Sequence, residues 1–421
     1  MTGDGMNTPQ TPGLLSRGWN LGLTLGANFH LVALPVAFLF VANLLIARSV
    51  SPAMFGIVAS HIAVGGLLSI LFRGSANFQA FANDGNIRRI TYLSQNFFSL
   101  SAALFLLCSV VFFVIGHDNY SYLSLIYGIV LSSHTYIYSV IRVTLSVRAF
   151  YIYGQALRAI ALLLLAAALT VIGEPEEYFS AWTFILPFVL SFVVALYLLR
   201  HGFRLFRINF KRPNLREAGA HITSSAALLL SFSIKNFELL FGILFLSAVG
   251  LGEIAFNFKL ILASNAIFAY IHILYLPKLT KSYIDRDRTA FLENIKKVVA
   301  ISFAIGAVIL GVIFIFEKTM IGIFSDYQNG IIYLKYFYII NIFTFLLGPA
   351  TAIFLADKKQ NIIFLILASS FVVRLLIYYM IDEGTAEVPA ALYSYSGSII
   401  FMQFFFLAVF MRNLGRRAAA I

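Results

Sequence analysis

RHGFRLFRINFKRPNLREAG (200–219) holds six basic residues and falls almost halfway along a chain of 421 residues. Apolar stretches flank it on both sides. A hydrocarbon core about 30 Å thick needs roughly 20 apolar residues per helical crossing. Upstream, stretches of that kind lie at 22–47, 55–76, 95–116, 121–144, 155–173 and 180–200. Downstream they lie at 222–248, 254–277, 295–316, 331–355, 360–381 and 391–411. The pattern predicts an all-α polytopic membrane protein with twelve spans in two six-helix bundles. Its parts are a tail (1–20), a first bundle (21–200), a basic linker (201–219), a second bundle (220–411) and a tail (412–421).

Composition demands the same class. Hydrophobic residues make up 60% of the chain and charged residues 11%, against about 25% in soluble proteins. So few charges cannot cover a water-exposed surface. The polar first 19 residues precede an apolar stretch too long for a signal peptide, and are expected to form a short uncleaved tail. A single cysteine, Cys108, excludes an intramolecular disulfide.

The net charge of +12 has a topological explanation. With the amino terminus inside, the connections on the inner side and the two tails hold 24 of the 30 basic residues. Arg142, Arg148 and Arg158 are placed there, between spans four and five. The opposite side receives Arg48, Lys318 and Lys335, together with acidic clusters at Glu174, Glu176 and Glu177 and at Asp382, Glu383 and Glu387. Basic residues stay on the cytoplasmic side during insertion, so both termini are expected inside. No nucleic-acid partner is needed to account for the charge.

Features recur about 200 residues apart. The exit from span one reads VSPAMFG around Pro52, and the exit from span seven reads VGLGEIA around Gly252. SVRAFYIYGQ separates spans four and five, and ADKKQNIIF separates ten and eleven. Each half starts inside, which makes the repeat parallel, with its pseudo-twofold along the membrane normal.

Polar side chains at membrane depth cost free energy, so their positions carry functional information. Lys235 falls at the middle of span seven. At 100° per residue, Ser224, Ser231, Lys235, Glu238 and Gly242 share about 60° of one face. Lys235 and Glu238, three apart, can pair directly. Either that pair only fixes helix packing, or Lys235 is a substrate contact and Glu238 a coupling group. Span one places Thr24, Asn28, Pro35 and Asn43 on one side, with Pro35 as a candidate hinge. Span eight contributes Asn257, Ser264, Asn265 and His272, with Glu253 at its mouth. Lys259 is expected to snorkel to the interface. On span eleven Arg374 follows Ser370 by one turn, and its planar fork suits phosphate or carboxylate. His61 on span two reads as a packing residue.

No catalytic or metal motif is present. The sequence has no Walker glycine loop, HExxH, CxxC or G-x-S-x-G, and its seven His are scattered. No cofactor is expected.

Four stretches carry a family resemblance. They are RSVSPAMFGIVAS, LSILFRGSANFQAFA, the long block from AVGLGEIAFNFKLILASNAIF to DRDRTAFLENIKK, and FLADKKQNIIFLILASSFVVRLL. In them the chain resembles the polysaccharide transporter family, the Wzx-type flippases of the multidrug/oligosaccharidyl-lipid/polysaccharide exporter superfamily. The resemblance implies two bundles facing each other in a V, a MATE-like fold, and alternating access. It also implies a bacterial inner-membrane flippase for an undecaprenyl-diphosphate-linked oligosaccharide, such as an O-antigen, capsule or exopolysaccharide repeat unit. The implied partners are that lipid, the surrounding membrane lipids, and the polymerase and glycosyltransferases of the same pathway. Lys235, Arg374, Asn28, Asn43, Ser231 and Asn257 are then the expected substrate contacts. A cation-coupled multidrug exporter of the same superfamily is the alternative. Such exporters typically carry an acidic residue in helix one, where this chain has Asn28 and Asn43.

Overall fold

A computed structural model describes residues 14–73, 97, 101–111, 113–114, 119–172, 177–199, 215–284, 287–346, 360–381 and 386–418. In the first half these form α1 (Leu14–Ser49), α2 (Pro52–Arg73), α3 (Ser101–Val111), α4 (Asn119–Thr144), α5 (Leu157–Ile172) and α6 (Glu177–Leu199). In the second half they form α7 (Leu215–Lys235, continued by Phe237–Phe241), α8 (Ala248–Ile284), α9 (Arg288–Ile323), α10 (Gln328–Leu346), α11 (Gln360–Met380) and α12 (Glu387–Ala418). Seven of the described helices are long and apolar enough to cross a membrane. The count of twelve spans depends on residues outside the described set, and so does most of the 200–219 segment. Leu215 already belongs to α7, and α12 carries the expected tail to Ala418, because polar helix ends continue past the apolar stretch.

Helix starts follow local chemistry. Pro52 opens α2 at the position where its missing N–H costs nothing, and the Ser51 hydroxyl accepts from the Met54 N–H at 3.3 Å. Asp287 caps α9 by accepting from the Ala290 N–H at 3.0 Å. Before α8, Ser247 accepts from the Gly250 N–H at 3.0 Å and is itself held by Glu387 of α12, at 2.7 Å from both its N–H and its hydroxyl.

The two halves pack by one plan. In the first, α1 lies on α5, α2 on α4, α4 on α6 and α5 on α6. In the second, α7 lies on α11, α8 on α10, α10 on α12 and α11 on α12. Adding six to each helix number converts one set into the other, as a parallel repeat requires.

The halves meet along α2 and α8, which are equivalent helices in that scheme. Glycine permits their approach. A Cβ on Gly56 would stand 2.6 Å from the Gly252 nitrogen, and one on Gly252 would stand 1.8 Å from the Pro52 carbonyl oxygen. Any larger residue at Gly252 must push the halves apart. Around this crossing the Tyr327 hydroxyl donates to the Val50 carbonyl at 3.3 Å, and its ring meets Phe55 edge-on at 6.0 Å. Asn257 donates to the Gly330 carbonyl at 2.8 Å and ties α8 to α10. The halves are therefore in close contact at the end of the molecule at which α1 stops. An apolar cavity of about 600 Å³ lies beside α1, lined by Phe40 and Leu44, by Leu260 of α8 and by Val312 and Phe316 of α9.

Candidate functional site

The centre of the second half is the break in α7. Lys235 ends the first piece, Asn236 leaves helical geometry with φ −118° and ψ 28°, and the helix resumes at Phe237. At the break two backbone carbonyls accept side-chain donors, and that of Phe232 also keeps its helical bond from the Asn236 N–H at 3.0 Å. The Asn236 side chain donates to Phe232 at 2.9 Å, and Arg374 Nη1 of α11 donates to the Ile234 carbonyl. In an unbroken helix that carbonyl would accept from the Glu238 N–H. Lost backbone pairing at membrane depth is tolerated where a side chain replaces it.

Arg374 is fully buried. Its Nη2 donates to both carboxylate oxygens of Glu238, which is also fully buried, and Tyr378 adds a donor at 3.3 Å. The rings of Phe237 and Tyr395 flank the guanidinium, at 5.1 and 5.2 Å from its central carbon. The cluster braces α7 against α11 and neutralises both charges.

Lys235 is left out of the brace and is exposed. It lies roughly 60° from Phe232 on the first piece of the helix, and Leu239 follows just after the break. Those two touch α2, the Phe232 ring against Gly66 and the Leu239 carbonyl accepting from Ser60 at 2.6 Å. The lysine thus opens beside the seam between the halves. Among the described residues it has no ion-pair partner.

The first half holds a second polar cluster. A π-helical turn, Phe150–Ala156, leads into α5. Its Tyr153 carbonyl accepts from both Tyr138, at 2.8 Å, and Ser191, at 2.9 Å. His134 lies 3.1 Å from the same serine hydroxyl. Gly154 lets the Tyr138 ring lie on the turn, where a Cβ would meet it at 2.7 Å. Arg158 follows, donating to Gln155 at 2.9 Å and lying 4.8 Å over the Phe188 ring. No group of three or more His, Cys, Asp or Glu among the described residues could hold a metal ion.

Neither a protein-family model nor a curated protein matches the sequence. Solved structures match in shape. A multidrug resistance MATE family transporter of the MOP superfamily, in its inward-facing conformation, superposes with a TM-score of 0.63 at 13% identity, covering 92% of this chain and 99% of that one. A eukaryotic MATE transporter gives 0.58 at 14% identity, over 97% and 99% of the two chains. The lipid II flippase MurJ, inward closed, gives 0.58 at 13% identity, over 93% and 87%. This chain has the MATE fold. At such identities the likeness is one of fold.

Within the MATE fold the expected site residues are dispersed. Glu238 does not pair with Lys235. The break at Asn236 changes the helical phase between them, and Arg374 reaches across from α11 to take the carboxylate. Arg374 is correspondingly a brace, with its fork already filled. Asn257 spends its amide on Gly330. Asn43 is buried and bonds back to the Leu39 carbonyl at 2.6 Å. Ser231 lies half-buried one turn before Lys235. α1 runs without interruption through the buried Pro35. The side chains of Thr24, Asn28, Ser224, Ser264 and His272 lie outside the described residues. Lys259 lies 4.8 Å over the Phe184 ring of α6 and bridges the halves.

Arg158 is the main residue the sequence reading misplaced. It sits inside the first bundle, over the middle of α6, where an inner connection was expected. Its position within the apolar stretch 155–173 was the available signal. The bracing role of Tyr378 and the glycine crossing had no such signal.

Proposed function

We propose that this chain is a flippase that carries a polyprenyl-diphosphate-linked oligosaccharide across the bacterial inner membrane by alternating access. The observation that carries the reading is the charge state of the site. Lys235 is an open cation at the break of α7 with no carboxylate on it, and Glu238 is neutralised by Arg374. An open cation beside a neutralised carboxylate attracts a diphosphate and repels a cationic drug. The other buried carboxylate of the second half, Glu253, is engaged by Asn329 and Gly330. The helices of the first half contain no Asp or Glu beyond Glu177, at the first position of α6. A cation-coupled multidrug exporter would need an acidic group free to exchange its cation, so this rival is less well supported.

The lipid tail stays in hydrocarbon, and the apolar cavity beside α1 is matched to part of it. With both termini inside, the glycine crossing of α2 and α8 seals the outer end and the site is reached from the cytoplasm. Polymerase and glycosyltransferase contacts belong to the same reading.

Deleting the gene should stop surface polysaccharide and leave the lipid-linked oligosaccharide on the inner leaflet, with drug sensitivity unchanged. Sensitisation to cationic drugs with normal glycans would favour the exporter. Alkaline phosphatase fused near Glu176 should be active and after Arg212 inactive; the reverse pair would overturn the orientation.

A further inference from the structure

Arg158 has no role in the site described so far, and its surroundings are unusual for a buried guanidinium. Its Nη2 donates to Gln155 at 2.9 Å and its plane rests on Phe188. Its Nε is buried without a hydrogen-bond partner. Tyr127 and His134 stand close enough to interact with it electrostatically. A guanidinium offers five N–H donors, and a buried one normally ends on a carboxylate. Among the described residues no carboxylate pairs with it. The acidic residues of the first half are Asp4, Asp84, Asp118, Glu174, Glu176 and Glu177, and none occurs from 119 to 173. Glu177, at the start of α6, is separated from Phe188 by about 16 Å of helix rise.

The backbone beside Arg158 is also unusual. π-helical turns are rare and occur frequently at functional sites. Here the turn Phe150–Ala156 supplies Gln155 to the guanidinium and the Tyr153 carbonyl to the Tyr138 and Ser191 hydroxyls. The arginine remains partly exposed, so a ligand can reach it.

We propose that Arg158, Gln155 and the neighbouring Tyr127 form a binding site for a phosphate-type oxyanion inside the first bundle. The planar fork suits two oxygens of one phosphate, and the phenol adds a neutral donor. The inference rests on the proposed function only for the identity of the cargo. Two sources offer this chemistry, the diphosphate of a carried lipid and the headgroup phosphate of a bilayer phospholipid.

The test uses the full chain purified into phosphatidylcholine nanodiscs, titrated with geranyl pyrophosphate. A Lys235→Gln background removes the other open cation. Arg158→Met should weaken binding at least tenfold, and Arg158→Lys by less, because charge survives without the fork. Ligand-free Arg158→Met should melt no lower than its parent, because an unpaired buried charge is lost. Adding phosphatidylglycerol to the discs separates the sources. If a phospholipid headgroup occupies the site, the added lipid weakens geranyl pyrophosphate binding in the parent and not in Arg158→Met. If the carried diphosphate does, parent affinity is unchanged. Binding by Arg158→Met within twofold of the parent would overturn the proposal. So would a large fall in its melting temperature that Arg158→Lys restores, since that marks a packing role. Failure of the cargo reading is distinct: polysaccharide export would survive gene deletion while Arg158-dependent binding persisted.

Discussion

Arg374 and Arg158 lie on α11 and α5, helices that correspond in the two halves of the repeat, yet their charges are handled in opposite ways. Arg374 is fully buried, gives Nη2 to Glu238 and Nη1 to a backbone carbonyl, and is flanked by two aromatic rings. Arg158 has an amide oxygen in place of the carboxylate and one aromatic face, while the Nε of both arginines is buried without a partner. A buried cation costs several kcal/mol unless an anion compensates it. In the second half the chain supplies that anion itself, and the product is a rigid joint between α7 and α11. In the first half no described residue supplies one, and the charge stays available to a ligand. One architecture thus provides a brace in one half and an anion-accepting pocket in the other.

Removing the carboxylate from the brace should have the largest effect on this contrast. Glu238→Gln leaves Arg374 buried and uncompensated, with an expected loss of about 3–5 kcal/mol in detergent unfolding. Glu238→Leu with Arg374→Met should recover most of it. If Glu238→Gln alone were neutral, Arg374 would be no more dependent on its partner than Arg158 is.

The converse change makes the first half resemble the second. Gln155→Glu puts a carboxylate at the 2.9 Å contact of Arg158. Stability should rise by about 1–2 kcal/mol, less than the brace loses because the new carboxylate must itself be desolvated. Geranyl pyrophosphate binding should fall at least tenfold. Unchanged stability together with unchanged binding would show that Arg158 already has its charge satisfied.

A smaller loss is expected from Tyr378→Phe, which removes a 3.3 Å hydrogen bond to Glu238 and keeps the ring stacking. Thermal unfolding should register about 0.5–1.5 kcal/mol. A loss as large as that of Glu238→Gln would make the phenol, rather than the guanidinium, the main compensation for the carboxylate.

Least of all should happen to stability on Lys235→Ala. The side chain is exposed and unpaired, so a change within about 0.5 kcal/mol is expected, with normal abundance in the membrane. Flipping should nevertheless be lost, and Lys235→Arg should keep part of it. Normal flipping by Lys235→Ala would remove the open cation of the second half from the mechanism.

Much of the molecule is legible in its residues. Long apolar stretches require membrane helices, because a backbone in hydrocarbon must satisfy its own hydrogen bonds. The depth of Lys235, Glu238 and Arg374 in apolar stretches singles them out as costly groups. All of these are one-dimensional properties of length and composition.

Partner choice is another matter. Periodicity puts Lys235 and Glu238 on one face three residues apart, but the carboxylate binds Arg374, 136 residues away. The preference arises because Arg374 also takes the Ile234 carbonyl, which opens the helix between Lys235 and Glu238. Such an exchange is set by how α7 lies on α11, and nothing local in α7 encodes it. The same holds for Arg158, where the absence of acidic residues is visible in the sequence but its burial over Phe188 is not. Residue order thus determined that the chain is a membrane protein built of helices with cations at depth. Tertiary structure alone decided which cation is neutralised and which stays open, because compensation of a buried charge depends on lateral helix packing, and close packing depends on small contacts such as that of Gly56 with Gly252.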